Sequence, residues 1–158
     1  MAKPDRNARH EEILSSKRTF FVTTKTSMGR MHLQSERNAM LLVDVLRSCV
    51  AAREIYLHDF VVMPDHVHLL MTPDTGMSIE KAMQLIKGRF SYRLKKEFGY
   101  LGEVWQRGFS EKRIDDEQGF LRCQGYIAEN PFKAGLVGVG EKYPFCYSYL
   151  AEAKRSRG

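Results

Sequence analysis

Residues 60–71 read F-V-V-M-P-D-H-V-H-L-L-M, two apolar runs on either side of the Pro64-Asp65 dipeptide. Apolar runs bounded by such a breaker predict strand, tight turn, strand. The second strand opens with His66-Val67-His68. Side chains on a strand alternate between faces, so residues two apart share one. His66 and His68 therefore project together, and Val67 points the other way. The pair is either a two-imidazole clamp at the mouth of a hairpin or the polar side of a half-buried strand, and its surroundings must decide.

Upstream of the hairpin, R-T-F-F-V-T-T-K-T from Arg18 is dense in β-branched and aromatic residues and predicts a first strand. S-M-G-R then gives a turn. Ser35 is placed as an N-cap with Glu36 in the first helical turn. Ala39, Val43, Leu46 and Val50 follow at helical spacing, so an amphipathic helix runs to about Arg53. Downstream, P-D-T-G-M-S breaks the chain and Ser78 starts a second helix, with Ile79, Met83, Ile86, Phe90 and Leu94 as its buried stripe.

Gly99 and Gly102 end that helix, and residues 104–114, V-W-Q-R-G-F-S-E-K-R-I, alternate well enough to predict a fourth strand. Asp115 and Asp116 offer an N-cap for a third helix with Phe120, Cys123 and Ile127 on its apolar side. Gly119 and Gly125 each cost that helix roughly 1 kcal/mol. Pro131 is expected to stop it, because the residue before a proline is pushed out of the helical region. The order is β-α-β-β-α-β followed by a helix, with no internal repeat. The fold class is α+β, a ferredoxin-like antiparallel sheet with helices on one face plus a C-terminal helix that bears Tyr126.

The 158 residues suffice for one domain with a real core. It is placed at residues 17–150, between a polar N-terminal arm (1–16) and a basic tail (151–158), with aromatic residues 143–150 packing back on the core. No apolar run approaches the roughly 20 residues of a membrane span, and the polar start lacks the apolar core of a secretory signal. A cytoplasmic protein with no membrane partner is expected. Cys49, Cys123 and Cys146 are odd in number and scattered, which suits reduced, buried thiols better than disulfides or a zinc site.

A net charge of +6 attracts phosphate backbones without demanding one. The second helix sharpens this: Lys81, Lys87, Arg89, Arg93, Lys95 and Lys96 fall outside its apolar stripe, set against Glu80. A solvated helix usually mixes signs, so this face reads as a phosphate track. Trp105 either stacks on an unpaired base or is a buried tryptophan beside the sheet. On the third helix Arg122, Tyr126 and Asn130 recur every four residues and share a face. A phenol can act as a covalent nucleophile, and an amide oxygen can complete a metal site begun by two histidines.

Four segments, D-H-V-H-L-L, K-G-R-F-S-Y-R-L, V-W-Q-R-G-F and Y-I-A-E-N-P-F-K-A-G-L-V, occur in this order over nearly the whole chain. Together they resemble the REP-associated tyrosine transposases, small single-strand transposases of the HUH superfamily. The resemblance implies that His66, His68 and Asn130 hold one divalent cation, magnesium or manganese, where imidazole ligands alone would have favoured a transition metal such as zinc. It implies that Tyr126 attacks single-stranded DNA to give a 5′-phosphotyrosine and a free 3′-hydroxyl, with hairpin repeats as the DNA partner and a monomer or a swapped homodimer as the active form. Lys87, Arg89, Arg93, Lys96, Trp105 and Arg122 are the expected DNA contacts. After W-Q-R-G-F the chain departs from the family pattern with S-E-K-R-I-D-D, which bears on recognition rather than on the nuclease core. Two other readings predict different products: a non-catalytic nucleic-acid-binding regulator of the same fold, and a phosphodiesterase that uses water and leaves no covalent adduct.

Overall fold

The structure, a computed structural model, describes residues 18–151. The expected N-terminal arm and all but the first residue of the expected tail lie outside the described residues. Four strands, β1 (Thr19–Lys25), β2 (Ile55–Met63), β3 (His66–Pro73) and β4 (Ser110–Ile114), form one sheet in the order β2-β3-β1-β4. Every neighbouring pair is antiparallel. The helices are α1 (Glu36–Ala51), α2 (Ile79–Phe98) and α3 (Glu117–Lys133), and a single 3₁₀ turn (Ser27–Gly29) follows β1. This is the ferredoxin-like order expected from the chain.

Local chemistry places each helix start. The side chains of Ser35, Ser78 and Asp116 accept the backbone N–H of Asn38, Lys81 and Gly119, at 3.2, 3.0 and 2.7 Å. Each bond satisfies one of the amides that a helix start leaves unpaired. Gly99 closes α2 in the left-handed region (φ 67°), where a side chain would be strained.

Strand alternation divides the core in two. Phe20, Val22, Phe60, Val62, Val67, Leu69 and Met71 face α1 and α2, with Met83, Ile86, Phe90 and Leu94 buried among them. The opposite face carries Val61, Met63 and Leu70, covered by Phe120, Cys123 and Ile127 of α3. Burying side chains of this size stabilises by roughly 1.5–3 kcal/mol each. α3 therefore lies across the sheet from the other two helices, on the face to which His66 and His68 belong. The free edge of β2 is covered by the C-terminal segment: Val62 N–H donates to the Phe145 carbonyl (2.9 Å) and the Tyr143 hydroxyl to the Val62 carbonyl (2.6 Å). Among the described residues no helix is long and apolar enough to cross a membrane.

Two boundaries differ from the sequence reading. The fourth strand begins at Ser110, not at 104, and Trp105 makes only an isolated bridge with Thr26. The Lys87 ammonium takes the carbonyls of Gln106 (3.0 Å) and Gly108 (2.8 Å), and Gly108 sits at φ 80°, so the pairing does not continue past that bridge until Ser110. Pro131 does not stop α3, which continues to Lys133. The proline lies in the last turn, where its ring is buried and only one helical bond is forfeited. Gly135 (φ 75°) follows the helix end. Of the three thiols, Cys49 and Cys123 are buried and Cys146 is half-buried, and all are free.

Candidate active site

β1 lies antiparallel to β3 with Thr23 opposite His68 and Lys25 opposite His66. Alternation puts Phe21, Thr23 and Lys25 on the same face as the two histidines. Above them α3 supplies Tyr126 and Asn130. The result is an open cavity of about 610 Å3 lined by Thr23, Lys25, Asp65, His66, His68 and Tyr126, with Gly29, Gln106 and Ser110 also on its walls.

The imidazoles are oriented from behind. His68 Nδ1 lies 2.8 Å from Thr23 Oγ1, and His66 Nδ1 lies 2.7 Å from Asp65 Oδ1. A carboxylate only accepts, so the bond fixes a proton on His66 Nδ1, and in the neutral tautomer so defined Nε2 is the lone-pair nitrogen. The same tautomer serves His68, whose Nε2 faces the Asn130 amide nitrogen at 3.4 Å. Half a turn of that amide about its Cβ–Cγ axis exchanges nitrogen for oxygen. Burial, followed by the neighbouring His66, pushes the His68 pKa down to about 4. His68 is thus neutral, as a metal ligand must be.

Two imidazole lone pairs and an amide oxygen form a donor set that fits a divalent cation, with Thr23 and Asp65 holding the rings as outer partners commonly do. The described residues contain no group of three or more His, Cys, Asp and Glu side chains that could hold a metal.

Tyr126 is held by stacking. Its ring packs edge-on against His68 (5.2 Å between centroids) and Phe21 (5.8 Å), while Phe21 stacks parallel to His68 at 5.4 Å. The ring is clamped on the sheet side, yet the residue stays 48% exposed.

The structure thus brings together His66, His68, Tyr126 and Asn130, and it scatters the expected DNA contacts. Lys87 is turned onto loop carbonyls. Arg89 pairs with Glu54 at 2.9 Å, and Arg93 is bonded to both Asp44 and Glu97. Two of the cations of α2, Arg89 and Arg93, are thus paired with acids within the chain, and α2 lies on the sheet face opposite the histidines. Trp105 is half-buried, with its indole N–H on the Lys87 carbonyl (3.0 Å) and its ring against Phe90. Lys96 is exposed beside Tyr92, and Arg122 is exposed on α3.

A ferredoxin-like sheet with paired histidines on a central strand and a tyrosine on the covering helix defines a class, and the comparison with known families agrees. The chain belongs to the IS200-like transposase family, whose model ("Transposase IS200 like") matches residues 19–130, from the first residue of β1 to Asn130. Transposases of this family are metal-dependent.

Among named relatives, a REP-associated tyrosine transposase of Escherichia coli K12 is 24% identical over 139 residues, covering 84% of this chain and 81% of that protein. A Haemophilus influenzae protein provisionally named a REP-associated tyrosine transposase is 31% identical over 94 residues; the match spans 53% of each, about half the relative's length. A solved REP-associated tyrosine transposase bound to a REP hairpin superposes with a TM-score of 0.72 at 23% identity, over 99% of this chain and 87% of that one. That likeness is one of fold.

Proposed function

We propose that this protein cleaves and rejoins single-stranded DNA beside hairpin repeats, with Tyr126 as the nucleophile. The observation that carries the reading is the contact of the Tyr126 ring with His68 at the edge of an open cavity, made within one chain. A site complete in one chain favours a tyrosine acting in cis on a monomer.

The phenol oxygen attacks phosphorus, the bond from phosphorus to the 3′-oxygen breaks, and the proton lost by the phenol is balanced by the one gained at the 3′-oxygen. The products are a 5′-phosphotyrosyl enzyme and a free 3′-hydroxyl. Attack by another strand's 3′-hydroxyl reverses the step and joins DNA without an external energy source, because the ester is conserved on the protein. Phe21 and His68 confine the ring so that attack comes from one direction, an orientation effect that lowers the barrier. His66, His68 and Asn130 would hold the cation, magnesium or manganese, which when bound polarises the scissile phosphate and offsets charge on its oxygens. Arg122, on α3 one turn before Tyr126, is assigned to the DNA strand. Hairpin DNA as the partner is supported by the like-folded relative bound to a REP hairpin.

The test is a denaturing gel of wild type and Tyr126→Phe with manganese and labelled single-stranded DNA carrying the hairpin repeats nearest the gene. The proposal expects a covalent adduct with wild type and none with the variant. Cleavage that persists in the variant would instead mean hydrolysis by water, and binding without cleavage by either protein would mean a regulator.

A further inference from the structure

We propose that Lys25 is a catalytic residue that binds the scissile phosphate and stabilises its charge during transfer to Tyr126. The inference rests on the tyrosine-nuclease reading above and adds a group that neither the family match nor the motifs single out.

Lys25 is the last residue of β1 and lies directly opposite His66 across the β1–β3 ladder. Residues so paired have Cβ atoms roughly 5 Å apart on the same face, so the lysine and the imidazole emerge side by side. Its own carbonyl is tied to the Gln106 N–H at 2.9 Å, which holds the end of the strand in place. Of the residues lining the cavity with His66, His68 and Tyr126, Lys25 alone is Lys or Arg. The one acid there, Asp65, is engaged with His66, and Lys25 forms no ion pair with a described residue.

Lys87, Arg89 and Arg93 show the contrast, since each is already committed to carbonyls or carboxylates inside the chain. A lysine left exposed at the mouth of a cavity whose one acid is engaged by His66 serves a different end. Transfer of the phosphoryl group shifts negative charge from the attacking oxygen onto the phosphate oxygens and the leaving oxygen, and an ammonium beside them stabilises the transition state more than the bound substrate. Lysine suits the task as a compact point charge on a flexible stem.

The test is single-turnover cleavage at saturating hairpin DNA, with affinity measured separately, for wild type, Lys25→Met, Lys25→Arg and the control Arg47→Met at an exposed position of α1. Removal of one charge-stabilising donor of this kind typically costs about 100-fold in rate. Lys25→Met is expected to lower the adduct-forming rate about 100-fold while affinity changes less than about 3-fold, Lys25→Arg to recover most of the rate, and Arg47→Met to match wild type. Lys25 is exposed, so all variants should melt with wild type. A Lys25→Met rate within about 3-fold of wild type, or a defect confined to affinity, would overturn the assignment while leaving the nuclease reading intact. Absence of any adduct with wild type would sink both.

Discussion

Asp59→Asn is expected to stabilise the fold at pH 8 and to leave it nearly unchanged at pH 4. Asp59 points from β2 to the α3 side of the sheet, into a cavity of about 580 Å3 walled by Ile127, Pro131, Tyr143 and Cys146. Its Oδ1 accepts the Phe60 N–H at 2.9 Å, and it forms no ion pair with a described residue. Burial pushes its carboxyl up to about 6 from an ordinary 3.8. Between those values the folded state holds the proton and the unfolded state has released it, so stability is full below about 3.8 and is lost as pH rises through about 6. At about 1.36 kcal/mol per pH unit, the interval is worth about 3 kcal/mol. Asparagine has the same shape, keeps the bond to Phe60 and never ionises. Urea denaturation of both proteins at pH 4 and pH 8 isolates the effect from every other titrating group. The stability difference, variant minus wild type, should grow by about 2–3 kcal/mol between the two pH values. A difference independent of pH, or a variant less stable at pH 8, would refute the reasoning.

Other perturbations separate the site from the scaffold. Thr23→Val removes the partner of His68 Nδ1 and should lower metal-dependent cleavage about 10–100-fold, restored in part by raising the metal concentration in the same assay. Phe21→Ala frees both the Tyr126 ring and the His68 ring; adduct formation should fall about 10-fold with DNA affinity, read by gel shift, unchanged. Arg89→Ala breaks the ion pair with Glu54. Because that guanidinium is partly exposed, the expected loss is about 0.5–1 kcal/mol by chemical denaturation, with single-stranded DNA affinity within twofold of wild type.

The hairpin, the helix starts and the order of elements along the chain were legible in the sequence because they rest on local chemistry: the Pro64-Asp65 turn, the alternation around Val67, and the caps at Ser35, Ser78 and Asp116. The shared face of His66 and His68 followed from alternation, and the face shared by Tyr126 and Asn130 from helical spacing. What surrounds them did not follow. Phe21, Thr23 and Lys25 enter the site through the register of β1 against β3, a pairing of residues more than forty positions apart that no local pattern specifies. Alternation within β1 was the available signal, since it groups these three on one face.

The pairing of the α2 arginines was hidden for the same reason. Two of the acids that meet them, Asp44 and Glu54, come from α1 and the α1–β2 connection. Only Glu97, four residues from Arg93, was visible on the helix itself. Position within the helix likewise decided Pro131, which in the last turn costs a single hydrogen bond.

The central claim is tested most directly by locating the covalent bond. Wild-type protein trapped on hairpin-bearing single-stranded DNA, treated with nuclease and then trypsin, should yield residues 123–133, C-Q-G-Y-I-A-E-N-P-F-K, with a nucleotide attached through phosphate to the single tyrosine of that peptide, Tyr126. Fragmentation that placed the nucleotide on Tyr143, Tyr147 or Tyr149 instead, or complete cleavage of the DNA with no modified peptide, would contradict the account.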